Sequence, residues 1–221
     1  SHVLVQFMDG IRDGGGSISL EELDQSENSL YGTESPEDGI NKKYSKTERI
    51  QFDVLGDILS SAHSLKVLNL GQCCLHSKSI ERLSEVLKSH GSLVSLDLRK
   101  NQNIYRTMHQ LTNALKENTT LESIDISGSS LGAAGALLVA ELLERNTTLK
   151  SMSLYGNFIG PDGCCAVFGA LSKNEGTRLT HLDIGLNRIK ARGVKTITSL
   201  LQREDDYRFP VTYLGLKSNH I

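Results

Sequence analysis

The stretch LKSMSLYGNFI, residues 149–159, follows the pattern L-x-x-M-x-L-x-x-N-x-I and decides the fold. The same phrase occurs five more times, with its first residue at positions 65, 93, 121, 179 and 211. Successive copies are therefore separated by 28, 28, 28, 30 and 32 residues, and the copy at 93 contains one extra residue. A fixed period of this length indicates that one supersecondary unit is repeated and that neighbouring units stack.

Each phrase has the alternation of a short strand that is buried on one face. Met152 and Leu154 point to one side of the strand, while Ser151 and Ser153 point to the other. Neighbouring strands are about 4.8 Å apart, whereas packed helices need roughly 8–10 Å. Because the helical segments between the phrases need more room than the strands, we expect the stack to curve. The pattern predicts an α/β solenoid with a parallel sheet on its concave face and helices on its convex face.

The phrase, its period and the intervening helices resemble the leucine-rich repeats of the ribonuclease-inhibitor type. The resemblance covers residues 65–221 and the helix that precedes them, and it implies a right-handed βα solenoid. It also implies an asparagine where the chain leaves each strand, because a buried amide can satisfy the backbone groups of the turn. Four copies have this residue and two have Cys73 or Ser129 instead; the asparagines are Asn101, Asn157, Asn187 and Asn219.

The chain divides at about residue 43. Residues 1–43 depart from the repeat and are predicted to form a short helix, a glycine-rich loop and a polar linker. Residues 44–221 are predicted to form the repeat array, with a capping helix over 46–61. The sequence ends directly after a strand phrase, and since a solenoid needs a covered end, we expect the array to continue.

The glycine-rich loop, residues 11–22, looks like the second half of an EF-hand. Asp13 falls at the third loop position and Glu22 at the twelfth, but Ile11 and Gly15 occupy positions that need oxygen ligands. The alternative interpretation is a flexible glycine loop that leads into a helix capped by Ser19 and Glu22.

Composition and charge restrict the function. A formal net charge of −2 argues against a dominant nucleic-acid role, and no apolar run approaches the length of a membrane span. The four cysteines form two adjacent pairs without zinc-ligand spacing, so we interpret them as thiols of a cytoplasmic protein. No spacing suggests a metal, a cofactor or a catalytic triad, and a monomer is expected.

The open face of the sheet therefore contains the candidate functional residues. Asp97 and Asp125 are predicted to be neighbours; like charges gain nothing for the fold, so either a basic partner or a solvated face explains them. His181 and Tyr213 are also predicted neighbours, and tyrosine is enriched in binding hot spots. Tyr155 is expected to lie apart from this pair, about 13 Å away along the strand direction. The full candidate set on this face is Asp97, Arg99, Asp125, Tyr155, His181, Asp183, Tyr213 and Lys217.

The function predicted from these features is a protein-binding scaffold without enzymatic activity that recognises its partner through the concave face. Two alternatives remain open. Ran-type GTPase-activating proteins resemble the same array, and Arg99 or Arg106 would then be the first residues to test. A calcium-responsive adaptor would act through the loop at residues 11–22.

Overall fold

The structure is a computed structural model that describes residues 20–27, 56, 59, 61–75, 77–102, 104–202 and 209–221. This part of the chain contains seven three-residue strands and five helices that alternate from β2 onward. The strands are β1 (Glu22–Asp24), β2 (Val67–Asn69), β3 (Ser95–Asp97), β4 (Ser123–Asp125), β5 (Ser151–Ser153), β6 (His181–Asp183) and β7 (Tyr213–Gly215). The helices are α1 (Ser77–Ser89), α2 (Ile104–Glu117), α3 (Gly132–Leu143), α4 (Gly160–Leu171) and α5 (Lys190–Leu201).

The strands form one parallel sheet in the order β1 to β7. Its register repeats from strand to strand, so that the middle residue of each strand lies beside the middle residue of the next, as the buried Leu96 does beside the buried Ile124. The residues on either side of each middle residue are more exposed and form the open face. The helices cover the other face, and the apolar side chains between sheet and helices form one core. The predicted α/β solenoid is confirmed.

The first strand corrects the predicted start of the array. We assigned residues 1–43 to a segment that precedes the repeats, but β1 lies in that range and pairs with β2 through Leu23 and Leu68. Leu20 and Leu23 pack against the core, with the same spacing as Leu65 and Leu68. This copy starts 45 residues before Leu65 instead of 28, and it has Gln25 where the other copies have their second apolar strand residue, although Asn28 and Leu30 fall at the asparagine and closing apolar positions of the phrase. The periodicity therefore did not reveal it.

Other predictions for the N-terminal region concern residues outside the described part. The helix expected before residue 12 and the polar linker beyond residue 27 lie there. Most of the capping helix expected over 46–61 lies there as well, and its described members, Gly56, Leu59 and Ser61, are helical.

A glycine near the start of α3, α4 and α5 allows the helix to approach the preceding turn. A β-carbon at Gly163 would lie 2.7 Å from Cβ of Ala136 and 3.0 Å from Cβ of Ile159. Gly135 and Gly193 are blocked in the same way by Leu131 and Ile189. Each of these helices therefore packs closely against its turn, and larger side chains at the glycine positions would disturb this packing.

Buried asparagines at the strand exits connect the repeats. The side-chain amide of Asn101 donates to the carbonyl of Leu70 in the preceding repeat at 2.8 Å, and its oxygen accepts from Leu75 N at 2.9 Å. Asn157, Asn187 and Asn219 repeat this arrangement. Ser129 interrupts it, because its hydroxyl reaches only the carbonyl of Ser127, within its own turn. We refer to this set of asparagines as the inner ladder.

A second set of buried polar side chains lies where the helices end. Asn118, Asn146 and Asn174 donate to the carbonyls of Leu87, Leu115 and Leu143, at 2.7–2.9 Å. The side-chain oxygens of Asn118 and Asn146 accept backbone N–H groups two and three residues ahead. His90 occupies the equivalent place one repeat earlier, where its Nδ1 accepts from Leu93 N at 3.2 Å. This set, the outer ladder, satisfies carbonyls at the helix ends.

Candidate functional site on the concave face

The open side of the sheet presents two regular columns of side chains. The first column consists of the residues directly before the central residue of each strand. The second column consists of the residues directly after it. In the register of the sheet, Asp97 lies directly beside Asp125, and His181 lies directly beside Tyr213. Both neighbour relationships were predicted, and both are confirmed.

The acids of the second column have a role in the fold that their spacing in the sequence did not reveal. Asp97 Oδ1 accepts the backbone N–H of Arg99 at 2.9 Å, and Asp125 and Asp183 each accept the N–H two residues ahead at 2.8 Å. Asn69 makes the same bond to Gly71 at 3.0 Å. The column thus fixes the turn at each strand exit. Since Asn69 does so without a charge, the turn requires the oxygen atom and not the charge.

Asp97, Arg99 and Asp125 form an acidic cluster in the middle of the array. Partial burial raises the pKa of Asp97, and the charge of Asp125 adds to this, while the N–H bond from Arg99 and the charge of Arg99 oppose it. Arg99 Nε lies 3.4 Å from Asp97 Oδ2. The Ser127 hydroxyl donates to Asp125 and lies 2.7 Å from the Ser153 hydroxyl, which extends the polar surface to β5. The cluster therefore has one cation and two carboxylates.

An aromatic cluster lies on the last three strands. The rings of His181 and Tyr213 are stacked, with centroids 5.7 Å apart and planes inclined by 23°, and Tyr213 is 55% exposed. Tyr155 and Asp183 meet above Gly185: a β-carbon there would lie 2.7 Å from Tyr155 Cδ2 and 3.1 Å from Asp183 Oδ1. Asp183 also covers Gly215 in the last repeat.

Seven of the eight candidate residues therefore form two groups on one face. Gly185 leaves room for the Tyr155 side chain to lean across to the next repeat, and Gly215 leaves room for Asp183 in the same way. The expected separation of Tyr155 from His181 and Tyr213 stays a prediction. Lys217, the eighth candidate, is exposed in the turn after β7.

The described residues contain no group of three or more His, Cys, Asp or Glu side chains that could hold a metal ion. All four cysteines are free thiols, as predicted. Burial raises the pKa of Cys164 to about 12, so this thiol is protonated at neutral pH and is a poor nucleophile.

Of the described residues named for the two alternative functions, only Arg99 belongs to these groups. Glu22, expected as a calcium ligand at the start of a helix, lies instead in strand β1, while residues 11–19 are outside the described part. Arg99 is on the concave face, whereas Arg106 is on helix α2, where its Nε donates to the Tyr105 hydroxyl at 2.7 Å. The calcium and GTPase hypotheses remain predictions.

Among the described helices, none has both the length and the apolar content that crossing a membrane requires.

Comparisons with known proteins agree with the geometry. A leucine-rich-repeat family model matches residues 117–140 and 177–197, two separate units of the array. The chain contains leucine-rich repeats. Each strand from β2 to β6 is followed by a helix, as in the ribonuclease-inhibitor-like type of repeat. A search of curated proteins finds no match.

Two solved structures have folds similar to this leucine-rich-repeat protein. The tropomodulin C-terminal domain of Caenorhabditis elegans aligns with a TM-score of 0.54 and 12% identity, over 62% of this chain and 81% of that domain. Leiomodin-1 actin-binding site 2 aligns with a TM-score of 0.55 and 18% identity, over 73% of this chain and 90% of that one. At these identities the likeness concerns the fold alone.

Proposed function

We propose that this leucine-rich-repeat protein is a cytoplasmic, monomeric protein-binding module without enzymatic activity, and that its partner lies along the concave face. The observation that carries the proposal is the exposed stack of His181 and Tyr213 beside Asp183 on the open strands. An aromatic ring that is more than half exposed contributes little to the core. Tyrosines in such positions are enriched among residues that dominate binding energy.

The two clusters define the partner's chemistry. The acidic cluster has an excess of one negative charge, and burial already disfavours the charged form of Asp97. The positive charge of a partner's lysine or arginine would offset the repulsion between Asp97 and Asp125. It would also offset the free-energy cost of desolvating Asp97. We therefore expect a partner that presents a basic group to β3 and β4, and a flat apolar group to Tyr213.

The test uses substitutions that leave the turns intact. Asp97→Asn and Asp125→Asn keep the side-chain oxygen that accepts the turn N–H, as Asn69 already does, and remove only the charge. Combined with Tyr213→Ala, they should weaken partner binding roughly tenfold or more while the protein remains folded. The matched control is Tyr105→Ala, which removes an exposed tyrosine from helix α2.

Wild-type and triple-variant proteins would be compared by quantitative pull-down from the native lysate, followed by affinity measurement with the purified partner. A partner that binds wild-type and Tyr105→Ala proteins but not the triple variant supports the proposal. A partner that binds all three equally removes the concave face from the proposal.

Actin is the first purified protein to test, because the name of the leiomodin-1 domain identifies that domain as an actin-binding site. Co-sedimentation with filaments and a gel-shift with monomers would cover both forms. Binding that the triple variant loses would make actin the partner. Without such binding, the concave-face proposal would stand and a different protein would be sought.

A further inference from the structure

Two large apolar side chains are exposed in the turns that follow strands β5 and β6. Phe158 is 49% exposed and Leu186 is 43% exposed. Both residues have positive backbone φ angles, 58° for Phe158 and 51° for Leu186. Neither position belongs to the open columns of the concave face, because both residues lie beyond the strand exits.

The other repeats fill these two positions with residues that suit the conformation better or that are polar. At the position of Leu186, the two preceding repeats have Gly128 and Gly156, with φ of 64° and 67°. At the position of Phe158, the preceding repeat has Ser130, with φ of 57°. The repeat geometry thus imposes left-handed backbone, which is unfavourable for bulky L-residues. Their exposure shows that burial offsets little of this cost.

The two side chains are parts of one patch that spans two repeats. Leu186 leans towards the preceding turn, where its Cδ2 lies 3.7 Å from the place of a β-carbon on Gly156. The guanidinium carbon of Arg188 lies 5.0 Å from the centroid of the Phe158 ring. We refer to Phe158, Leu186 and Arg188 as the rim patch.

The surroundings of the rim patch are basic. Arg188, Lys190 and Lys217 are exposed, and none of them forms an ion pair with another described residue. Lys190 is the first residue of helix α5, whose N-terminus adds a partial positive charge. By contrast, Arg192 of the same helix is paired with Asp162 at 2.8 Å. The patch therefore combines apolar anchors with cations that form no ion pair with a carboxylate in the described part of the chain.

We propose that the rim patch is a second docking surface, separate from the concave face, and that it binds an acidic segment of a partner protein. A leucine or phenylalanine of that segment would pack on Phe158 and Leu186, and its carboxylates would face Arg188, Lys190 and Lys217. The charge is opposite to that of the concave acidic cluster, so the two surfaces select different partner segments. An anionic lipid surface fits less well, because such recognition needs a cluster of about 4–8 basic residues.

The structure offers variants that remove the patch without harming the fold. Leu186→Gly restores the residue found at the same position in the two preceding repeats, and Phe158→Ser restores the residue of Ser130. Leu186→Gly removes the β-carbon that left-handed backbone disfavours, and Phe158→Ser introduces a side chain that the preceding repeat has in the same conformation, so both variants should remain folded. Lys100→Gly is the matched control, because Lys100 has the same conformation, φ 57°, at the same position of the β3 repeat.

The probe is a synthetic array of short acidic peptides that each carry one leucine or phenylalanine. Two control arrays replace the acids by lysine or the apolar residue by alanine. Wild-type and Lys100→Gly proteins should bind the acidic peptides and neither control array. Leu186→Gly and Phe158→Ser should weaken the binding roughly tenfold or more, whereas the concave triple variant should not.

Other outcomes would overturn the inference. These are a wild-type protein that binds no acidic peptide, equal binding of the lysine array, or binding unchanged by Leu186→Gly and Phe158→Ser. Phosphatidylserine vesicles are tested in parallel. Vesicle binding that depends on Leu186 and Phe158, without peptide binding, would assign the patch to lipid instead. Because the concave triple variant is measured on the same arrays, failure of this inference is distinguishable from failure of the proposed function.

Discussion

The backbone N–H of Asn157 donates a 2.9 Å hydrogen bond to the side-chain oxygen of Asn187, the equivalent residue of the next repeat. Asn157 in turn donates from its own amide to the carbonyls of Ile126 and Leu154. Both asparagines are fully buried. The inner ladder is thus a chain of polar contacts inside an apolar core, and each link depends on the side chain of one residue.

Replacing Asn157 by alanine should lower the free energy of unfolding by roughly 3 kcal/mol or more. The change leaves the carbonyl of Ile126 and the N–H of Ser129 buried without their partner, and unsatisfied buried groups cost about 1–3 kcal/mol each. Urea denaturation measures the effect. Asn113→Ala, at a half-exposed position on α2, is the control and should change stability by less than about 0.5 kcal/mol. A similar small effect for Asn157→Ala would contradict the structural role of the ladder.

Two glycines of helix α4 should respond in opposite directions to alanine. Gly163→Ala places a methyl group 2.7 Å from Cβ of Ala136 and should destabilise the protein by roughly 1–3 kcal/mol. Gly169 has no atom within 4 Å of an added β-carbon, so Gly169→Ala should stabilise the helix by up to about 1 kcal/mol. Thermal melts of both variants test this prediction. Equal changes in melting temperature would show that helix propensity alone determines the effect of alanine at both positions.

His90 should make the stability of the array sensitive to acid. Burial lowers the pKa of His90, and the charge of His63 adds to this, although the carbonyls of Ala62 and Leu59 oppose it. The buried Nδ1 accepts from Leu93, which requires a neutral ring. Because the pKa in the folded state is below the ordinary 6.5, stability is complete above that pH and falls as the pH drops towards the lowered value.

His90→Asn tests this by substituting the residue that the later repeats use. The variant should lose less stability than the wild type between pH 7 and pH 5, as measured by melts across that range. Arg82 and Glu85 line the same cavity of about 500 Å³ and remain in place. His109→Asn, at an exposed histidine on α2, should keep the wild-type profile. If wild type and His90→Asn lose the same stability between pH 7 and pH 5, His90 is not the cause of the sensitivity to acid.

Removing the charge of Asp97 should stabilise the protein, whereas removing the charge of Asp24 should not. The raised pKa of Asp97 means that its ionised form destabilises the folded protein. This loss of stability is absent below the ordinary pKa of 3.8 and appears as the pH rises through the pKa of the folded state. Asp97→Asn should therefore stabilise the protein at pH 7, by less than about 1 kcal/mol because the site is partly exposed. The Ser26 hydroxyl and N–H lower the pKa of Asp24, so Asp24→Asn should not stabilise it. Melts at pH 7 and pH 3 compare the two, and a gain from both variants would point to net charge instead.

The repeat phrases predicted most of the fold because each apolar position has one structural use. Leu96 and Ile124 are buried in the sheet, and Gly163 lies against the turn, for reasons that are visible in the spacing. The strand at Glu22–Asp24 was missed because its copy starts 45 residues before Leu65, outside the period, and because Gln25 replaces the second apolar strand residue. Periodicity identifies a strand only when the spacing to the next copy is also kept.

The candidate site was less predictable because side-chain direction depends on neighbours. Asp97 and Asp183 looked like free acids, but the turn uses one oxygen of each. The side chain of Tyr155 leans over Gly185 of the next repeat, and the phrase itself does not show this direction. Phe158 and Leu186 occupy positions that the phrase leaves unspecified, so the motif carries no information about them. The signal available in the sequence was the change from Ser130 to Phe158, and from Gly156 to Leu186, between successive repeats.

Ser129 also affects how cooperatively the solenoid unfolds. In a linear array, stability is a sum of unit terms and nearest-neighbour couplings, so the weakest junction sets where the chain separates. The inner ladder is interrupted at Ser129, and helices α2 and α3 on either side pack less extensively than the other neighbouring helices do. Native-state hydrogen exchange should therefore resolve two foldons, one ending with α2 and the other beginning with β4. A ligand that bridges Asp97 and Asp125 would span this junction and join the two into one cooperative unit.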